Sequence, residues 1–256
     1  MDTYIDVDGH PTWVSDDGSP RPPVLLLHGG LSSSETNWSE MAGRLADHHR
    51  VVMFDRRGHG RTADTAAAFH YRSMAVETAG VIEALNLAPV AAVGYSDGAN
   101  LLMHLALMRP ELLRCMVLIS GNYHHDALYP DGLGGVDDII ANALLSGPYG
   151  AASPDGGDHW PVVVAKGMML FEEEPTFTVE QLSHISTPTL VVAADDDLFP
   201  LEHTVSLYDA LPTAQLAIVP GASHLLVIEQ PARVTELINN FLASPGRPPT
   251  FLPVKR

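Results

Sequence analysis

Three widely separated stretches of this 256-residue chain hold side chains able to pass a proton between them: Gly94-Tyr95-Ser96-Asp97-Gly98, Asp195-Asp196-Asp197 and His224 after Gly221-Ala222-Ser223. A serine hydroxyl is a weak nucleophile until a neighbouring base takes its proton, and the base works best when a carboxylate holds it. Serine, acid and histidine occur here in that order along the chain. Their chemistry would be acyl transfer. Ser96 could instead serve as an ordinary helix N-cap, since serine is among the preferred cap residues.

The elements that must position these groups can be read from hydrophobic spacing. The run Val90-Ala91-Ala92-Val93 reads as a buried strand and residues 99–108 repeat apolar side chains at helical spacing. Ser96 is therefore expected at a strand-to-helix corner, with Gly94 and Gly98 letting neighbouring backbone pass close to it. The start of that helix favours negative charge, which would stabilise an oxyanion.

Val24-Leu25-Leu26-Leu27 is a second continuous apolar strand, ending in His28-Gly29-Gly30-Leu31. Further strands are expected at 51–54, 116–119, 189–193 and 215–219, with helices at 35–48, 74–85, 202–211 and 233–242. Two short strands near 4–7 and 12–14 read as an opening hairpin around Asp8-Gly9. Strand and helix alternate at short spacing, which predicts an α/β fold: a mostly parallel twisted sheet with helices on both faces. The alternation stops at 122–187, where apolar helices are expected near 136–145 and 160–171. This insertion is a candidate helical lid over the carboxyl ends of the strands, leaving 1–121 and 188–256 as the core domain.

Composition narrows the partners. Fourteen Lys and Arg stand against 31 Asp and Glu, for a formal charge of −17, which would repel nucleic acid and anionic membranes. The expected partner is a small-molecule substrate. The N-terminus lacks a secretory pattern and no apolar run is long enough for a membrane helix, so the expected location is the cytoplasm. Cys115 is the single cysteine, which excludes an internal disulfide, and it sits in an apolar run as an inert core thiol. His124-His125-Asp126 and His159 match no established metal-ligand spacing, so no metal is expected.

Together, His28-Gly29-Gly30, Asp55-Arg56-Arg57-Gly58-His59-Gly60, Gly94-Tyr95-Ser96-Asp97-Gly98, Ala194-Asp195-Asp196-Asp197 and Gly221-Ala222-Ser223-His224 resemble the α/β-hydrolase fold superfamily over nearly the whole chain. The resemblance implies a cofactor-free serine hydrolase with Ser96, Asp197 and His224 as its triad. Asp197 matches the family acid at the end of a G-x-x-D segment, with Ala194 in place of the glycine. The other position used in the family, at the end of the preceding core strand, holds Asn122. The oxyanion hole would take backbone N–H groups from Asp97 and from Gly30 or Leu31, and His28 would hold its loop.

Ser96-Asp97-Gly98 is also similar to hydrolases of amino-acid esters of the valacyclovir hydrolase type, in which the acid receives the substrate ammonium. The alternative is that Asp97 only complements the helix start. Leu31, Tyr95, Tyr123, Trp160, Phe171, Phe199 and Leu225 flank strand ends or lie in the insertion and are expected to line an apolar pocket. The expected reaction is cleavage of a small carboxylic ester, by a monomer or homodimer. Thioester, lactone, amide and carbon–carbon cleavage stay open, as does a non-hydrolytic cyclase or ligand receptor.

Overall fold

The computed structural model describes residues 1–130, 141–246 and 251 of the chain. Eight strands form one sheet in the order β1-β2-β4-β3-β5-β6-β7-β8. They are β1 (Asp2–Val7), β2 (His10–Asp16), β3 (Pro23–Leu27), β4 (Arg50–Phe54), β5 (Val90–Tyr95), β6 (Leu113–Ile119), β7 (Thr189–Asp196) and β8 (Ala214–Ser223). The first two pair antiparallel and β2 meets β4 antiparallel; every pairing from β4 through β8 is parallel.

Why the sheet is covered on both faces follows from side-chain alternation. In β3, Val24 and Leu26 join one core with Trp38, Met41 and Leu45 of α1 (Ser34–Ala46). Leu25 and Leu27 join the other with Met74 and Ile82 of α2 (Tyr71–Ala84) and Leu102 of α3 (Asp97–Met108). A strand buried on both sides has no polar face, so β3 reads as an unbroken apolar run.

Two strands extend beyond their apolar runs. β7 continues to Asp196 and β8 to Ser223, because Asp196 pairs with Ser223 past a register shift. The Asp195 carboxylate holds the turn in β8 by accepting from the Gly221 and Ala222 N–H groups at 2.8 and 3.3 Å. Hydrophobic periodicity cannot register such polar strand ends.

Between β6 and β7 lie α4 (Gly147–Ala152), α5 (Trp160–Glu173) and α6 (Val179–Ser183). Of the helix expected at 136–145, residues 136–140 fall outside the described residues, and Asn142–Ser146 forms one wide turn. Gly167 in α5 lies against Leu31: a Cβ there would meet Leu31 Cδ2 at 2.7 Å. After β7 come α7 (Leu201–Ala210), α8 (Leu226–Glu229) and α9 (Pro231–Ala243). Among the described residues no helix is long and apolar enough to cross a membrane.

Candidate active site

The corner at Ser96 is built by β5, which ends at Tyr95, and by α3, which starts at Asp97. Ser96 itself has φ 53° and ψ −117°, a region that costs a non-glycine residue of order 1–3 kcal/mol. The glycines explain how the turn closes. A Cβ on Gly94 would lie 2.2 Å from the Gly98 carbonyl oxygen, and one on Gly98 would lie 2.2 Å from that of Leu27. The Ser96 N–H is tied to the Ile119 carbonyl of β6 at 2.8 Å.

Three strand ends then bring their side chains together. His224, just past β8, has Nε2 3.1 Å from Ser96 Oγ, and its Nδ1 lies 2.6 Å from Asp197 Oδ1. The His224 carbonyl accepts from the Tyr95 hydroxyl at 3.0 Å, which fixes the backbone beneath the ring. The Asp197 carboxylate also accepts from the Leu198 N–H at 2.8 Å, the Ser120 hydroxyl at 2.5 Å and the Ala194 N–H at 3.2 Å. Burial would raise the Asp197 carboxyl, but the His224 hydrogen bond and charge and the other donors outweigh it and hold it below the ordinary carboxylate value.

Ser120 was invisible to motif reading. It follows β6 at φ 49° and meets Asp197 across 77 residues of chain. Asn122 is committed elsewhere: its Oδ1 accepts from Asn100 Nδ2 at 2.8 Å and its N–H donates to Asn100 Oδ1 at 2.9 Å.

The loop after β3 lies against this corner. A Cβ on Gly29 would be 3.4 Å from Ser96 Cβ, and one on Gly30 would be 2.4 Å from Asp97 Oδ2. Asn37 accepts from the Gly29 N–H at 2.8 Å. His28 uses both ring nitrogens on the backbone, Nδ1 at 2.7 Å from the Gly29 carbonyl and Nε2 accepting from the Arg56 N–H at 3.1 Å. The guanidinium of Arg56, fully buried, donates to the carbonyls of both His28 and Gly29.

Asp97 is buried, and its Oδ1 accepts from the Tyr71 hydroxyl at 2.8 Å. Burial raises its carboxyl above the ordinary value against the opposing pull of Arg56 and Tyr71. Tyr71 carries no local signal that could have found it, since its partner lies 26 residues away.

These groups open into a mainly apolar cavity of about 500 Å³. Gly30, Leu31, Tyr95, Asp97, Phe171, Phe199 and Leu225 line it with Ser96 and His224, as do Leu128, Leu145 and Ile228. Tyr123 and Trp160 do not. Tyr123 stacks on His203 with ring centroids 4.1 Å apart and bonds Ser206, whereas Trp160 packs against Tyr149 at 5.1 Å. Position beside a strand end does not decide which way an aromatic ring turns. Among the described residues, His124, His125 and Asp126 bring possible ligand atoms within 4.8 Å of one another. His159 is apart from them, bonded to Asp64 at 2.9 Å.

Comparison with known proteins agrees with the architecture. The family profile described as "alpha/beta hydrolase fold" matches residues 22–139. The chain is similar to "Putative carbamate hydrolase RutD" of Pseudomonas savastanoi pv. phaseolicola, 29% identical over 250 residues that cover 86% of this chain and 93% of the relative. Among solved structures it is similar to the CarC serine hydrolase involved in carbazole degradation, with a TM-score of 0.78, 23% identity and coverage of 95% of this chain and 98% of the other. The meta-cleavage product hydrolase CumD from Pseudomonas fluorescens IP01 superposes with a TM-score of 0.74 at 20% identity, covering 95% and 97%.

Proposed function

We propose that the chain is a member of the α/β-hydrolase superfamily and a serine hydrolase that cleaves a small carboxylic ester through an acyl-Ser96 intermediate, a reading supported by the family profile over residues 22–139 and by the shared architecture. The observation that carries this reading is the line from Ser96 Oγ through His224 to Asp197, with spacings of 3.1 and 2.6 Å at the wall of the cavity. In this reading His224 Nε2 takes the Ser96 proton as Oγ attacks the carbonyl carbon, and returns it to the leaving alkoxide. Water then repeats the sequence on the acyl-enzyme. Asp197 holds the imidazole and stabilises its charged form. The N–H groups of Asp97 and Gly30 receive the oxyanion, and residues 122–187 act as the cap. An ester asks less of such a site than an amide does, because an alkoxide leaves more readily than an amide nitrogen anion.

A finer reading gives Asp97 the substrate's amine, as the similarity to valacyclovir hydrolase-like amino-acid ester hydrolases implies. Its carboxylate lines the cavity beside Ser96, and no Lys or Arg is among the lining residues described. The opposing consideration is that Tyr71 already donates to Oδ1. Fluorophosphonate labelling of Ser96, and a pre-steady-state burst with a p-nitrophenyl ester, are the expected results. Both vanish in Ser96→Ala; labelling that survives the substitution removes the nucleophile. A cyclase or receptor gives no turnover. Asp97→Asn separates the finer readings: a loss confined to α-amino esters supports amine binding, and an equal loss on neutral esters ends it.

A further inference from the structure

Arg56 is chemically out of place as mere scaffolding. Its side chain is fully buried, and among the described residues its Nε has no hydrogen-bond partner and no carboxylate bonds it directly; Asp97, Glu77 and Asp55 act on it only through space. Burying an ionised group without a bonded counter-charge is costly, and a neutral amide could hold two carbonyls at far lower cost. The carbonyls it holds are those of His28 and Gly29. We propose that Arg56 is a positioning residue that aims and polarises the Gly30 N–H toward the oxyanion formed at Ser96.

This role rests on the serine-hydrolase reading above and on the geometry of one peptide unit. A trans peptide is planar, so its C=O and N–H point in opposite directions. The Gly29 oxygen is fixed by Arg56 Nη2 at 2.9 Å and by His28 Nδ1 at 2.7 Å. With that oxygen pinned, the Gly30 N–H of the same peptide must face away from the guanidinium. A charged donor on the carbonyl also strengthens the N–H at its other end, since linked hydrogen bonds polarise one another. The positive charge has a second task here. Asp97 Oδ2 presses on Gly30, as the 2.4 Å approach to a would-be Cβ records, and its negative charge opposes an oxyanion at that spot. Arg56 offsets it.

The test uses a 13C-labelled aryl trifluoromethyl ketone. Ser96 Oγ adds to its carbonyl carbon, the Oγ proton passes to His224 Nε2, and the carbonyl oxygen becomes a hemiketal oxyanion whose titration is read from the carbon shift. Arg56→Lys keeps the charge but not the paired donors. It is expected to lower kcat on the p-nitrophenyl ester about tenfold or more with KM unchanged, short of the ~10²–10³ lost with a whole donor. The hemiketal should titrate about one pH unit higher, the free energy of a tenfold rate change. A folded Arg56→Lys whose hemiketal titrates as in the wild type overturns the role of Arg56.

In the wild-type adduct, the Gly30 amide proton should also move strongly downfield when the hemiketal forms. An unmoved signal overturns the proposal even if the variant fails to fold. Wild-type protein that forms no hemiketal, or Ser96→Ala that still does, defeats the serine-hydrolase reading and this inference with it.

Discussion

Four donors converge on one carboxylate in this protein, and they are not equivalent. The Leu198 and Ala194 N–H groups belong to the same segment as Asp197, and His224 is its chemical partner, but the Ser120 hydroxyl reaches it from beyond the end of β6. Ser120→Ala removes that donor while leaving the backbone in place. It should destabilise the fold by about 1.5 kcal/mol, the low end for a hydrogen bond to a charged group, and lower kcat because the carboxylate is freer to turn. Urea titration and ester turnover measure the two effects. A variant matching wild type in both would assign Ser120 no part in holding Asp197. Ser96, Asp197 and His224 were legible from the chain because each sits in a motif at a strand end. Ser120 and Tyr71 were not, since the partners that give them meaning lie 77 and 26 residues away, and Arg56 stood in a motif whose residues disclosed nothing of the carbonyls it holds.

At the scale of elements, the strand-to-helix corner depends on absent side chains. Gly98→Ala would drive a Cβ to 2.2 Å from the Leu27 carbonyl oxygen, backbone that cannot step aside without moving β3. A loss of about 3 kcal/mol, the upper range for overpacking, is expected in chemical denaturation, with the ester activity falling in the surviving protein as the loop after β3 shifts. Wild-type stability in Gly98→Ala would mean the corner is looser than its contacts imply. The sequence disclosed this corner because glycine spacing encodes close backbone approach directly. It disclosed less of 122–187. There, apolar residues at helical spacing predicted α5 within two residues of its end, yet Tyr123 stacks on His203 and Trp160 packs against Tyr149, and neither lines the cavity.

For the whole molecule, the fully buried His59 and the half-buried His104 and His203 set the acid limit. Burial holds His59 down to about 3 and His104 and His203 down to about 4, against 6.5 for a free imidazole. Each is neutral in the folded state and protonates more readily when unfolded. Between pH 6.5 and 4 the unfolded chain therefore binds more protons, and stability must fall as pH is lowered through that window. Asp197 adds to the loss further down. Its folded carboxyl lies below the ordinary value, so its contribution is full above that value and disappears as pH drops through the folded one. Denaturation midpoints measured from pH 8 to pH 4 should decline most steeply below 6.5. A flat profile would contradict the uncharged state of these rings.

The φ of 53° at Ser96 carries a conflict of interest within a single residue. Replacing the hydroxymethyl group by hydrogen, Ser96→Gly, should make the protein harder to unfold by about 1 kcal/mol while erasing its chemistry. A screen that rewarded thermal endurance alone would thus drift toward an inert protein, and only a demand for turnover keeps an uncomfortable serine where it is.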